Sequence, residues 1–182
     1  MFSIAATAFR ASVQIVSNVV VARVLGPDAY GVAAAVLALG VVLELVRNSG
    51  FAAVVLRSGA LPADVHVALH RASSLTGILL GALVAAAGLL VLRALPSSPS
   101  GGLLLAIAVA FPLAGLVAVP IASMVRQHEM GRVALVESIA VVLGSTLSIG
   151  LALVGAGPVA MVAQVVALWI VITVGVVVLR RV

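Results

Sequence analysis

Polar positions divide the chain into six apolar runs, at about residues 3–25, 32–56, 72–94, 102–125, 134–154 and 159–179. Each approaches or exceeds the roughly 20 apolar residues needed to cross a bilayer. The links between them are short: "GPDAYG", "RSGALPADVHVALHR", "LPSSPSGG", "RQHEMGR" and "GAGP". Most carry Pro or Gly, which interrupt helices. In hydrocarbon every backbone N–H and C=O must be paired internally, so apolar spans of this length are helices. The pattern predicts an all-α integral membrane protein, one domain over residues 1–182 built as a bundle of about six transmembrane helices. In the first link Gly26 is expected to end one helix and Pro27 to start the next.

The polar residues inside the runs are patterned too. In the first helix Ser3, Thr7, Arg10, Gln14, Ser17 and Asn18 recur at spacings of three and four. At about 100° per residue they fall on one arc roughly 100° wide. The second helix carries Glu44, Arg47 and Asn48, with Gly40 on the same side, and the fifth carries Glu137, Gly144, Ser145 and Ser148. A charge in mid-helix costs about 2.5–3.5 kcal/mol on insertion scales, so such groups face a partner or a watery cavity. Three polar stripes predict a shared hydrated interior. Its candidate lining is Arg10, Gln14, Asn18, Glu44, Arg47, Asn48 and Glu137.

Two readings stand for these residues. Glu44 and Arg47, three apart, are either a structural ion pair or part of a transport path. Arg10, Gln14 and Asn18 either line a cavity or make hydrogen bonds between helices. The first helix offers Arg10 no carboxylate, which favours it for meeting an anionic ligand. The third helix shows Ser73, Gly77, Gly81, Ala85 and Gly88, a small-residue seam expected to serve close helix packing.

Composition narrows the class. The chain is 64% apolar and 8% charged, with a mean hydropathy of +1.40, whereas soluble domains are about half apolar and about a quarter charged. The net charge of +5 comes from ten arginines and no lysine. These arginines mostly sit at the ends of apolar runs, and aromatics for base stacking are scarce, so nucleic acid is not an expected partner. A cytoplasmic N-terminus puts Arg57, Arg71, Arg126, Arg132, Arg180 and Arg181 inside and leaves Arg23 and Arg93 outside. The excess of arginine in cytoplasmic links therefore predicts a multi-pass protein with both termini cytoplasmic. The first run lacks a basic n-region and holds Arg10 internally, so it does not read as a cleaved signal peptide.

Chemistry is sparse. The absence of cysteine excludes disulfides, thiolate chemistry and Cys-ligated zinc. His66 and His70 lie four apart near Asp64, but without the glutamate of a zincin motif or a third ligand they predict no metal. The segment after Pro62 is expected as a short interfacial helix leading into the third span. No glycine-rich phosphate loop, nucleophile elbow or paired catalytic carboxylates occur, so neither an enzyme nor a cofactor is expected.

Several stretches carry a resemblance. "QIVSNVVVARVLGPDAYGVAAAVLAL" resembles the first two helices of bacterial polysaccharide exporters, the lipid-linked oligosaccharide flippases of the multidrug/oligosaccharidyl-lipid/polysaccharide superfamily. Arg23 falls where these proteins carry an arginine, with Val24 before Leu25, Gly26 and Pro27. "NSGFAAVVLR", Asn48 to Arg57, resembles the family's second-helix ending. "VPIASMVRQHEMGRVALVE", Val119 to Glu137, is similar to its fourth-helix proline, arginine-bearing link and start of the fifth helix. "ALVGAGPVAMVAQ", Ala152 to Gln164, is similar to the glycine-rich turn before helix six. The resemblance covers nearly the whole chain, in order.

It implies translocation of a polyprenyl-pyrophosphate-linked oligosaccharide across the cytoplasmic (inner) membrane by alternating access. Family members have twelve to fourteen helices in two similar lobes, so about six helices resemble one lobe. The chain is then expected to be a fragment, a truncated gene product or a half-transporter. Its partners would be the lipid-linked oligosaccharide, membrane lipid and a second lobe or second copy of the chain. Alternatives are a cation-coupled drug antiporter of the same superfamily, with Glu44 and Glu137 as acidic candidates, and a non-transporting scaffold for polysaccharide assembly. A membrane glycosyltransferase or ligase would need a long soluble loop, and the links here are too short for one.

Overall fold

The computed structural model describes the backbone of residues 2–48, 50–57 and 62–179, and the side chains of these except 2–4, 46–48, 51 and 52. Among the described residues there are seven helices and no strand: α1 (Phe2–Asn48), α2 (Phe51–Arg57), α3 (Ala63–Ala94), α4 (Ser100–Ala108), α5 (Ala110–Arg126), α6 (Met130–Leu153) and α7 (Val159–Leu179). Counted by length and apolar composition, the described helices supply five candidate spans, one of them, Ala5–Leu45, running through most of α1.

The first two expected spans are the two arms of α1. Gly26 interrupts it with φ 75° and ψ 170°, values open to glycine and costly for residues with a Cβ. Pro27 follows with its φ already set for a helix start. A straight α1 would place Gln14 and Glu44 about 45 Å apart at 1.5 Å per residue, yet both line one cavity. The chain therefore doubles back at Gly26. Val21 and Ala33, on the two arms, are buried together against Ala152 of α6 and Ala160 and Met161 of α7. The turn expected from "GP" is thus realised.

Three boundaries differ from the sequence expectation. The second span ends at Asn48 rather than near residue 56; the chain bends at Gly50, and residues 51–57 form the separate helix α2. The breaker cluster "NSG" accounts for this. Val55 of α2 is buried with Val119 and Ala122 of α5, beside Leu69 of α3. The third helix starts at Ala63 rather than near residue 72, and its first turns are the helical segment expected to lead from Pro62 into that span. The His66 N–H bonds the Pro62 carbonyl at 3.1 Å, so the helical ladder begins at once. The fourth span is broken into α4 and α5 at Val109. Pro112 is the cause: it has no N–H for the Ala108 carbonyl, and its ring crowds that oxygen. The Val109 N–H turns to the Ala106 carbonyl instead, at 3.4 Å.

The α4–α5 span is the centre of the bundle, with 56% of its most apolar window buried against 11–39% for the others. It packs on α3 along the expected small-residue seam. A Cβ on Gly77 would lie 2.6 Å from the Phe111 carbonyl oxygen, one on Gly115 would lie 2.8 Å from the Ser73 carbonyl oxygen, and one on Gly88 would lie 3.0 Å from the Gly101 carbonyl oxygen. Backbone meets backbone there, and only glycine fits. Ser73 Oγ donates to the Gly115 carbonyl at 3.0 Å across the same contact. The structural reading of this seam holds. α6 packs between the first arm of α1 and α7. A Cβ on Gly144 would lie 2.9 Å from the Gln164 carbonyl oxygen, and one on Gly175 would run into the Val136 side chain.

Candidate functional site

A cavity of about 370 Å³ lies inside the bundle. The first arm of α1 supplies Gln14 and Asn18, spaced one turn apart. The second arm supplies Gly40 and Glu44, again one turn apart on one face. The central span closes one wall with Ile107, Phe111 and Ala114, and α7 another with Met161, Gln164 and Trp169. Gly40 is small for a reason: a Cβ there would meet the Ile107 side chain at 2.9 Å. The Val109 break falls between Ile107 and Ala110, both of which line this wall.

Three of the seven residues expected to line a hydrated interior, Gln14, Asn18 and Glu44, do so. The side chains of Arg47 and Asn48 lie outside the described residues. Arg10 and Glu137 are brought together, but elsewhere: they form an ion pair between the first arm of α1 and α6. The expectation that Arg10 has no carboxylate is corrected, because the partner comes from the fifth span rather than the first. Arg10 Nη2 also donates to Thr7 Oγ1 at 3.3 Å. α6 contributes no side chain to the cavity lining, so its polar stripe does not face a space shared by all three stripes. It works at the interfaces: Ser145 Oγ accepts from Gln164 Nε2 at 3.2 Å.

A second, more open groove of about 490 Å³ runs between α1 and α6, walled by Phe9, Val13 and Ser17 on one side and Val142, Ser145 and Ile149 on the other. Arg10 meets Glu137 while Ser17 lies near Ser145 and Ile149, so the two helices run parallel with the ion pair at one end. Ser17 and Ser148 are 1% and 0% exposed, and neither hydroxyl has a hydrogen-bond partner.

The sequence expectation missed Gln164 and Trp169. The signal for Gln164 was present: it is the one amide in the otherwise apolar run 159–179. Trp169 carries no such mark, since an aromatic in an apolar span reads equally as lipid-facing. Asp64, His66 and His70 form no metal cluster, and among the described residues no group of three or more His, Cys, Asp or Glu could hold a metal ion.

Apolar helices of spanning length, a hairpin turn at Gly26 and a partly polar internal cavity define a multi-pass membrane protein. A family model described as polysaccharide biosynthesis protein matches residues 20–182. The chain belongs to this polysaccharide biosynthesis protein family. The matched region begins after Asn18, so Arg10, Gln14 and Asn18 precede it. No curated protein and no solved structure matches the chain.

Proposed function

We propose that this chain is one lobe of a flippase that moves a polyprenyl-pyrophosphate-linked oligosaccharide from the cytoplasmic to the outer leaflet of the cytoplasmic membrane. The observation that carries the reading is the cavity, where Gln14, Asn18, Glu44 and Gln164 present amide and carboxylate groups within an apolar bundle. Such groups suit sugar hydroxyls, and membership of the polysaccharide biosynthesis family supports a saccharide-bearing substrate. Arg10, one turn from Gln14, is assigned to the pyrophosphate, whose charge a planar guanidinium matches with paired donors. The prenyl tail stays in the bilayer, so the protein moves a headgroup and performs no covalent chemistry.

Transport by alternating access needs two bodies around the site. The second is a second lobe or a second copy of this chain. Both termini are assigned to the cytoplasm from the arginine distribution. The antiporter reading is weaker, because Glu137 is engaged by Arg10.

Reconstitution in vesicles with a labelled polyprenyl-linked sugar tests this. The paired assembly should translocate the label, and Gln14→Leu combined with Asn18→Leu should stop it. Robust translocation by a demonstrated monomer, or by the doubly substituted assembly, would sink the proposal. Because the chain has no cysteine, single cysteines placed in "SSPSGG" and "RQHEMGR" report topology directly. Equal labelling from one side would refute the orientation.

A further inference from the structure

The ion pair between Arg10 and Glu137 joins two helices that also pack through Val21 and Ala152. Both terminal nitrogens of Arg10 are committed, Nη1 to Glu137 and Nη2 to Thr7 Oγ1 at 3.3 Å. Two of the five guanidinium N–H donors are thus engaged, so a phosphate arriving at Arg10 shares the cation with Glu137 unless it displaces the carboxylate. The pair is not sealed: its side chains are 22% and 30% exposed. The other charged residues described on or beside α6, Arg132 and Glu129, are paired with each other at 3.1 Å. Beyond the pair, the α1–α6 interface holds the open groove, lined in part by the buried Ser17.

We propose that Glu137 is a positioning residue that holds Arg10 between cycles and competes with the substrate's phosphate for it. This rests on the assignment of Arg10 to pyrophosphate made above. A pyrophosphate carries more charge than a carboxylate and offers more acceptor oxygens, so it wins the guanidinium when present. The displaced carboxylate then waits on the facing helix, beside a groove that gives it room. When the headgroup reaches the far side, Glu137 takes Arg10 back and the anion is expelled. Glu137 thus lowers affinity in order to allow release. A site without it would bind tightly and stall, because uniform binding does not speed turnover.

The test uses the full chain in nanodiscs and inorganic pyrophosphate as the probe. Glu137→Gln should bind pyrophosphate about fivefold more tightly than wild type, the equivalent of about 1 kcal/mol for a partly exposed pair. In the transporting assembly the same variant should lower KM and kcat together, a split that mere loss of packing does not produce. Glu137→Asp retains the charge but shortens its reach by one methylene, so it should fall between the two and serves if Glu137→Gln folds poorly. Arg10→Ala should bind no pyrophosphate in either background. Unchanged or weaker binding in Glu137→Gln and Glu137→Asp, with wild type binding normally, overturns the competition while leaving the flippase reading intact. If wild type, Glu137→Gln and Glu137→Asp all fail to bind pyrophosphate, the phosphate role of Arg10 falls as well.

Discussion

The contact of α3 with the central span and the contact of α1 with α6 are built on opposite terms. The first is dry and backbone-close: Gly77, Gly88 and Gly115 leave no room for a methyl group, and its one buried hydroxyl, on Ser73, is bonded to a carbonyl across the contact. The second carries an ion pair and a groove whose wall includes the buried Ser17. In lipid the hydrophobic effect does not hold helices together, so close packing and polar bonds must do so. The first contact uses packing and is complete. The second adds a charge pair and a groove to its apolar packing at Val21 and Ala152.

Substitutions should separate the two. The largest effect belongs to Gly77→Leu, which would force the α3 and α5 backbones apart. A loss of about 3 kcal/mol is expected for such overpacking, read as a large drop in thermal midpoint and yield in detergent. An unchanged midpoint would mean the seam is not tight. Next is Arg10→Ala, which strands a half-buried carboxylate. It should abolish translocation and lower stability by about 1 kcal/mol, and adding Glu137→Gln should restore the midpoint without restoring transport. Full transport by Arg10→Ala at equal abundance would remove the arginine from the mechanism. Gln164→Leu deletes the bond to Ser145 and leaves that hydroxyl unpaired. A cost of about 1 kcal/mol is expected, together with slower translocation, since Gln164 also lines the cavity. Identical transport rates would restrict Gln164 to a packing role.

The smallest effect should come from Ser17→Ala, which removes a hydroxyl that bonds to nothing. Stability should stay within about 0.5 kcal/mol of wild type or rise slightly. A clear loss would show that the Ser17 hydroxyl is satisfied by bound water and that the α1–α6 contact resists rearrangement.

How much of this was legible depends on the range of the interaction. The apolar runs, the Gly26–Pro27 turn and the seam through Gly77 and Gly81 are local patterns, and they read correctly because helix periodicity and glycine sterics act over a few residues. The break at Val109 was missed even though Pro112 announces it, since an apolar run containing proline still scores as one span. The partner of Arg10 could not be read from the first helix at all: which of several distant carboxylates a helix meets is decided by the packing of the whole bundle. For the same reason the fifth helix was placed at a shared interior, whereas its polar stripe serves two helix contacts.

The distance in sequence between Arg10 and Glu137 also sets a schedule. A ribosome reaches the glutamate roughly 125 residues after the arginine, about 6–25 s later at roughly 5–20 residues per second. Throughout that interval the first arm of α1 must remain in the membrane with its cation uncompensated by the residue that holds it in the finished protein. The long aliphatic stem of arginine can carry the guanidinium back toward the helix end and its water, so the nascent hairpin can wait. Lysine would wait as well, but a buried leucine-rich first span would not need to, and assembly would lose the event that ties the fifth helix to the first.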